Sequence, residues 1–170
     1  EIKNVNLDSS IHLLNECSKF RFEKFINTGS SSEYGYKVKK MKESDILKPD
    51  NHYGVFKASF TLFCKVKALN DNLPITTIRP FHVYGSGESN TRLIPTIINH
   101  LRQNKSPPLV SPNITRDMIY VLDVIYFYIQ VAIKKNIRGE IFNIGSGKKY
   151  SIKIIFNKIK KIMNSEVTPV

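Results

Sequence analysis

The sequence predicts an α/β fold with a largely parallel sheet, and the alternation of its apolar patterns is the main reason. Short β-branched segments alternate with longer segments of helical periodicity along all 170 residues. Hydrophobic residues make up 41% of the chain, which is enough for a core of ordinary density. No internal repeat or low-complexity tract interrupts the alternation. The length allows one domain of ordinary size.

The first half of the chain is predicted to form helix, strand, polar loop, helix and strand. An apolar pattern of helical period precedes a short buried strand that ends at Gly29. The loop after it is rich in Ser, Lys, Glu and Asp, and the next strand is β-branched and stopped by Pro80. The predicted ranges are 4–18 (helix), 24–28 (strand), 30–51 (loop), 52–69 (helix) and 74–79 (strand).

The second half continues the alternation after a glycine-containing loop that runs to Gly87. Asp123 and Ser151 suit the N-cap positions of the last two helices. The final helix is amphipathic, because its lysines fall largely opposite its apolar residues. The predicted ranges are 92–103 (helix), 119–121 (strand), 123–135 (helix), 140–144 (strand) and a basic helix after Gly147.

The net charge is +12 and the pI is about 9.7. Such a charge suits nucleic acid, an anionic membrane face or a phosphorylated substrate, and composition does not choose among them. The densest lysine run lies on the solvated face of the last helix, so an ordinary surface helix is favoured over a membrane or nucleic-acid helix. No apolar stretch is long enough to span a membrane.

The two cysteines, Cys17 and Cys64, fall on predicted helices, outside any C-x-x-C pair or Cys/His cluster. Reduced thiols in a cytosolic protein are therefore favoured, and no metal site is predicted. The sequence also contains neither a G-x-x-G-x-x-G nor a G-x-G-x-x-G turn, the usual cradle for a dinucleotide pyrophosphate.

Tyr53 and Lys57 are four residues apart on a predicted helix, so their side chains share one face. A cation beside a phenol favours the phenolate, a general base that can take a proton from a substrate hydroxyl. A serine from the loop after the preceding strand can hydrogen-bond that oxygen, and Ser30, Ser31 and Ser32 lie there. The pair alone is a weak signal, because both residues are also common on plain helix surfaces.

A series of motifs surrounds this pair: Asn27-Thr-Gly-Ser-Ser-Ser-Glu-Tyr-Gly35, Tyr53-Gly-Val-Phe-Lys57, Arg79-Pro-Phe-His-Val-Tyr-Gly-Ser-Gly87, Leu93-Ile-Pro95, Arg116-Asp-Met-Ile-Tyr-Val121 with Asp123, and Phe142-Asn-Ile-Gly145. In order and spacing they resemble the extended short-chain dehydrogenase/reductase family, the NAD-dependent epimerases and dehydratases that act on nucleotide sugars. The resemblance covers nearly the whole chain. It implies a partial Rossmann-like doubly wound parallel sheet plus part of a small C-terminal substrate-binding domain.

The resemblance also implies catalytic and cofactor-binding roles by position. Ser30 falls where the family keeps its catalytic Ser or Thr, and Ser31 is a near alternative. Tyr53 would be the acid/base, and Lys57 would also hold the nicotinamide ribose. The implied cofactor is NAD or NADP, with NAD favoured. The expected cofactor-binding residues are Tyr53, Lys57, Thr28, Arg79 and Pro80.

The implied substrate is a nucleotide-diphosphate sugar, with expected contacts at His82, Leu93 and Arg116. Arg116 matches an arginine that family members use on the diphosphate, where a guanidinium fork suits phosphate oxygens. His82 stands where relatives often have Asn, and it either donates to a phosphate or is an ordinary packed histidine. Asp117, Tyr120 and Asp123 are expected to hold the loop and the helix in place.

The reaction implied is hydride transfer at sugar C4 in the synthesis of surface-polysaccharide precursors, in the cytoplasm. Sugar 4,6-dehydratases follow the catalytic Thr with an Asp-Glu pair, whereas this chain has Ser31 and Ser32, with Glu33 one place further on. This favours an epimerase or a reductase over a dehydratase. The alternative is a non-catalytic protein that keeps a nucleotide-sugar or polyanion-binding surface and lacks the cofactor site.

The resemblance divides the chain in two. Residues 1–85 would be the C-terminal half of the NAD(P)-binding domain with the catalytic helix. Residues 86–170 would be mainly substrate-binding, with returning sheet elements near 115–145. We expect the family's cofactor-binding beginning to precede Glu1, so that the chain alone is nearly inactive. A homodimer of the full-length protein is expected, and a nucleic-acid partner is not.

Overall fold

The computed structural model describes residues 1–109 and 111–168, and its strands and helices follow the predicted alternation. A π-helical turn, Asn4–Asp8, leads into the first helix, and a 3-10 turn, Ser31–Tyr34, follows the first strand. The strands are β1 (Phe25–Thr28), β2 (Ile75–Pro80), β3 (His82–Tyr84), β4 (Thr115–Tyr120), β5 (Ile141–Ile144) and β6 (Lys149–Ser151). The helices are α1 (Ser9–Cys17), α2 (His52–Asn70), α3 (Leu93–Arg102), α4 (Val121–Ile133) and α5 (Ile152–Ile162).

The chain forms two compact units, each discontinuous in sequence. The first unit comprises Glu1–Phe81 and Asp123–Ile144, and the second comprises His82–Leu122 and the residues from Gly145 onward. The chain therefore leaves the first unit after β2 and returns to it for most of α4 and for β5. The functional division between residues 85 and 86 stays a prediction.

The first unit is built on a three-stranded parallel sheet in the order β1-β2-β5. The central strand β2 is buried on both faces over residues 75–79, as expected for β-branched residues in a parallel sheet. β2 also runs through Pro80, where the sequence predicted a stop. Phe81 donates to the carbonyl of Ile144 at 2.8 Å, so the strand loses no bond to β5 at the proline.

The core of the first unit joins α1, α2 and β2. Helix α2 packs on the sheet through Phe60, Cys64 and Ala68, which meet Leu14 of α1 and Ile75 of β2. Burial raises the pKa of the Cys64 thiol to about 12, and both cysteines are free. This core fixes α2 against β1 and β2, and α2 carries Tyr53 and Lys57.

The second unit contains a small mixed sheet, in which β3 pairs parallel to β4 and β4 pairs antiparallel to β6. α3 and α5 pack through a cluster formed by Ile97, Leu101, Ile155 and Phe156. Strands β3 and β6 were not predicted from the sequence. Each has three residues, and the pairing with β4 rather than local propensity defines them.

The α/β fold with a largely parallel sheet is confirmed. In the two ranges that the structure covers, none of the helices combines the length and the hydropathy that a bilayer span requires. Within the same ranges, no group of His, Cys, Asp and Glu side chains is arranged to hold a metal ion.

Candidate active site

Tyr53 and Lys57 lie in the first turns of α2, on one face of the helix. Asn51 begins the helix as its N-cap, because its side-chain oxygen accepts from the Gly54 amide at 2.9 Å. The Lys57 ammonium lies 5.8 Å from the centre of the Tyr53 ring, and 39% of Tyr53 is exposed. The structure thus brings together the phenol and the ammonium that their spacing predicted.

The Lys57 ammonium is fixed at the carboxyl end of β1. Its Nζ atom donates to the backbone carbonyl of Thr28 at 3.0 Å. Partial burial lowers the pKa of Lys57, and the negative charge of Glu33 acts in the opposite direction. Parallel α/β sheets bind their ligands at the carboxyl ends of the strands, so Lys57 and Thr28 stand at the expected edge.

The loop after β1 carries the serines Ser30 and Ser31. Ser30 caps the 3-10 turn, since its hydroxyl accepts from the Ser32 amide at 3.1 Å. The hydroxyl proton of Ser30 is left available for a further acceptor. Among residues 1–109 and 111–168 the Tyr53 hydroxyl has no hydrogen-bond partner, so neither serine is bonded to it here.

A buried ion pair between Glu33 and Arg79 lies beneath this loop. Arg79 Nε donates to Glu33 Oε2 at 2.7 Å, and the exposed fractions of Glu33 and Arg79 are 0% and 1%. Arg79 also donates to the Tyr34 hydroxyl at 2.7 Å, and that hydroxyl donates to Asn143 at 2.8 Å. Burial raises the pKa of Tyr34.

The ion pair bears on the predicted cofactor residues Arg79 and Pro80, which end β2. The Arg79 guanidinium is occupied by Glu33 and Tyr34, so any cofactor contact made by Arg79 would come from its main chain. The pairing was not predicted, because the two partners are 46 residues apart. The one sequence signal was a charged residue, Arg79, in a strand whose other residues indicate burial.

Tyr128 of α4 is a further residue beside the candidate site that the sequence did not indicate. Its hydroxyl shares a 2.7 Å hydrogen bond with the Thr28 hydroxyl, and burial raises its pKa. Tyr128 occurs in an apolar helical run, so its pattern indicates a core residue. The available signal was its phenol, which needs a partner when buried.

The expected substrate contacts lie in the second unit. His82 begins β3, and Arg116 lies in β4, whose residue Met118 pairs with His82. Desolvation lowers the pKa of His82 to about 4, helped by the positive charges of Arg116 and Arg92 and opposed by Asp117. The imidazole is therefore neutral near pH 7.

Arg116 and Leu93 have different surroundings. Arg116 donates to the neighbouring Thr115 carbonyl at 3.1 Å, which leaves guanidinium N–H groups for a ligand. Leu93 begins α3 and packs against the cluster between α3 and α5. Arg92, which was not predicted as a site residue, adds a cation to this region, and its place directly before the Leu93 motif was the available signal.

Asp117 holds the loop after β5, a contact that the sequence did not specify. Its carboxylate accepts from the Ser146 amide and hydroxyl, each at 2.7 Å, and from the Gly147 amide at 3.0 Å. Gly147 has a φ of +72°, which favours glycine. The role of Asp117 is therefore structural.

A cavity of about 940 Å³ lies elsewhere, at the amino ends of the strands of the first unit. Lys24 and Pro74 line it just before β1 and β2, and Arg138 lines it before β5. Thr28 and Pro80 mark the opposite ends of β1 and β2, so this cavity is separate from the candidate site.

Comparison with known proteins finds a family whose model matches most of the chain. Residues 1–145 match the model of the NAD dependent epimerase/dehydratase family. The chain is 28% identical over 164 residues to the Bacillus subtilis (strain 168) protein named "Uncharacterized UDP-glucose epimerase YtcB". It is 29% identical over 154 residues to human dTDP-D-glucose 4,6-dehydratase. These alignments cover 96% and 89% of this chain but 52% and 44% of the relatives, so it spans about half their length.

Solved structures of similar proteins show which fold the chain has. The UDP-glucuronic acid 4-epimerase of Bacillus cereus, in complex with UDP-glucuronic acid and NAD, matches with a TM-score of 0.91 and 30% identity. That match covers 97% of this chain and 53% of the epimerase. The UDP-glucose 4-epimerase of Thermotoga maritima, with UDP-glucose, matches with a TM-score of 0.89 and 27% identity, over 99% of this chain and 56% of that one. The Rossmann-like fold implied by the motifs is confirmed.

Proposed function

Because the chain belongs to the NAD dependent epimerase/dehydratase family, we propose that it carries the catalytic groups of a nucleotide-sugar epimerase or reductase acting at sugar C4. The observation that carries the proposal is the placement of Lys57. Its ammonium is held on the Thr28 carbonyl at the carboxyl end of β1 and lies beside the Tyr53 ring.

Tyr53 is the acid/base of the proposed reaction. Its phenol oxygen takes the proton of the C4 hydroxyl, and the nearby Lys57 charge favours the phenolate that does so. The C4 carbon loses a hydride in the same step, which leaves a 4-keto sugar. In an epimerase the hydride returns to the opposite face, and in a reductase the step runs once toward the alcohol. Ser30, or Ser31 beside it, shares the proton with the Tyr53 oxygen.

The residues present fit the nicotinamide half of NAD or NADP. Thr28, Tyr53 and Lys57 stand together at the strand end, where the phenol and the ammonium can hold a ribose diol. When bound, the cofactor supplies the hydride acceptor. The glycine-rich turn that would hold the pyrophosphate does not occur in this sequence. NAD is favoured over NADP because the family is named for its dependence on NAD.

The burial of the Glu33 carboxylate favours an epimerase or a reductase over a dehydratase. Elimination of water needs an acid that can reach the sugar. Glu33 is the carboxylate that lies next to the serines in sequence, and it is fully buried with both oxygens engaged. It therefore serves the fold rather than the substrate.

The second unit supplies the contacts to the nucleotide diphosphate in this proposal. The guanidinium of Arg116 can pair with phosphate oxygens in a fork, and Arg92 and His82 add donors nearby. Leu93 would border the same ligand at the start of α3. The relatives named above are described as acting on or binding UDP- and dTDP-linked sugars, which supports this substrate class.

The proposal also includes the domain roles, the cellular location and the oligomeric state that the family implies. The first unit would hold the cofactor and the second the sugar nucleotide. The enzyme would act in the cytoplasm on precursors of surface polysaccharides, and the full-length protein would be a homodimer. Free cysteines agree with a reducing compartment.

A second function, polyanion binding without catalysis, is favoured by the charge of +12 and by the lack of a glycine-rich turn. It predicts affinity for duplex DNA that falls steeply as salt rises. The catalytic proposal predicts instead a saturable site for nucleotide sugars.

The test uses protein expressed from the complete reading frame, incubated with NAD or NADP and a panel of UDP-, dTDP-, CDP- and GDP-linked sugars. A product altered at C4, resolved by chromatography and NMR, is expected for one nucleotide class. Arg116→Gln should weaken binding of that nucleotide sugar, while Arg102→Gln, in the last turn of α3, serves as the matched control. No C4 change with any sugar, combined with salt-sensitive DNA binding, would favour the second function.

A further inference from the structure

Glu33 is a buried carboxylate beneath the serine loop of the candidate site, and the proposed reaction does not use it. Its exposed fraction is 0%, although it lies in the loop that carries Ser30 and Ser31. A carboxylate out of contact with water is costly to keep unless charges and donors surround it. Each oxygen of Glu33 has such donors.

The donors to Glu33 come from three different elements. Oε1 accepts from the Ser30 amide of the loop at 2.8 Å and from the Thr61 hydroxyl of α2 at 3.0 Å. Oε2 accepts from Arg79 Nε of β2 at 2.7 Å. Thr61 lies about two helical turns after Tyr53 on the same helix. One carboxylate therefore ties the serine loop to the catalytic helix and to the central strand.

Two glycines show how tightly the loop is packed, one against the Glu33 carboxylate and one against helix α2. A Cβ atom on Gly29 would collide with Glu33 Oε1, and a Cβ atom on Gly54 would collide with the Ser32 carbonyl. Neither glycine has a positive φ, so space rather than backbone conformation requires them. Gly54 follows Tyr53 directly, so the loop contacts α2 right beside the proposed acid/base.

We propose that Glu33 is a positioning residue, whose carboxylate fixes the Ser30 backbone against α2 and so sets the serine loop relative to Tyr53 and Lys57. The catalytic consequence rests on the function proposed above. The negative charge of Glu33 also counteracts the effect of burial on the Lys57 ammonium. Glu33 would thus act on the proposed site chiefly through its hydrogen bond to the loop, which a neutral acceptor at residue 33 can also make.

The test compares two double variants of the complete protein that differ only in the acceptor at residue 33. Glu33→Leu with Arg79→Met replaces the ion pair by apolar side chains, which commonly preserves a fold. Glu33→Gln with Arg79→Met also removes both charges, but it keeps an amide oxygen for the Ser30 amide and Thr61. Asp71→Asn, which breaks the exposed Lys67–Asp71 pair near the end of α2, is the control.

Hydrogen exchange by mass spectrometry is the first readout, because it needs no turnover. In the Leu variant the Ser30 amide is expected to exchange at least about tenfold faster, since its acceptor is gone. The Thr77 amide, which donates to the Glu140 carbonyl, should exchange as in the parent. The Gln variant and Asp71→Asn should keep Ser30 protected.

Steady-state kinetics is the second readout. In the Leu variant kcat should fall at least about tenfold with KM within about twofold, and the Gln variant should recover most of kcat. Equal exchange and equal kcat in the two double variants would overturn the proposal. Both variants lack the ion pair, so equal results would mean that the acceptor at residue 33 has no effect on the loop or on turnover. Faster exchange with normal kcat would also overturn it. If the parent shows no turnover at all, the proposed function fails, and the exchange result alone decides whether Glu33 fixes the loop.

Discussion

Individual side chains define the candidate site, and Lys57 is the most informative of them. A lysine on an exposed helix face would keep its ammonium in water. This one donates to the Thr28 carbonyl and is partly buried, which lowers its pKa. The i, i+4 spacing predicted that Tyr53 and Lys57 share a face. It could not predict the Thr28 contact, which depends on how α2 lies on β1.

Under the proposed function, Lys57→Met should lower kcat/KM by about a hundredfold or more, because the proposed phenolate partner and the proposed ribose contact would both be lost. Lys65→Met removes an exposed lysine from the same helix and should leave kcat/KM near the parent value. Steady-state kinetics on the two variants makes the comparison. Equal effects of the two substitutions would refute a specific role for Lys57.

His82 gives a prediction about pH. Its pKa in the folded protein is about 4, below the ordinary value of 6.5. Between these values the unfolded chain binds more protons at this site, so the unfolding free energy should decrease as pH falls through that window. In urea titrations His82→Asn should show a shallower decrease than the parent. An unchanged pH slope in His82→Asn would rule out this linkage.

At the level of elements, the sequence predicted the long segments well and the short ones poorly. α2, α3 and α5 have clear apolar periodicity; α2 and α3 were predicted close to their ranges, and α5 was predicted as a basic helix after Gly147. β3 and β6 were missed because three-residue strands exist only through their partner β4. The network of Glu33 and Arg79 escaped prediction for the same reason, since the loop and β2 meet only in the folded chain.

Arg79→Met alone should reduce the unfolding free energy by about 3–5 kcal/mol, because it leaves the Glu33 carboxylate buried without its ion-pair partner. The exposed pair of Lys67 and Asp71 offers a comparison, and Lys67→Met should cost less than about 1 kcal/mol. Urea denaturation measures both losses. Losses of equal size would mean that the buried pair does not stabilise the fold as described.

For the whole molecule, the order and spacing of the motifs are enough to indicate the family, and residues 1–145 match its model. The motifs do not identify the nucleotide, the sugar or the direction of the reaction, because no residue in them is specific for any of these. The positive charge was also ambiguous. The structure places the α5 lysines on an amphipathic helix that buries Ile152, Ile155 and Phe156, as expected of a surface helix.

This interpretation of the charge can be tested by competition. At about 0.15 M salt, excess duplex DNA should not displace a bound nucleotide sugar, because scattered surface lysines give only weak, salt-sensitive binding. Fluorescence competition with a labelled nucleotide sugar measures the displacement. Complete displacement by DNA would favour the polyanion-binding function.

The most direct test of the central claim is turnover of Tyr53→Phe in the complete protein, with nucleotide-sugar binding measured by calorimetry. Tyr36→Phe, at a tyrosine that is 85% exposed, is the matched control. We expect Tyr53→Phe to lose about a hundredfold or more of kcat while its affinity for the nucleotide sugar stays close to the parent value. Near-normal turnover of Tyr53→Phe would contradict the assignment of Tyr53 as the acid/base.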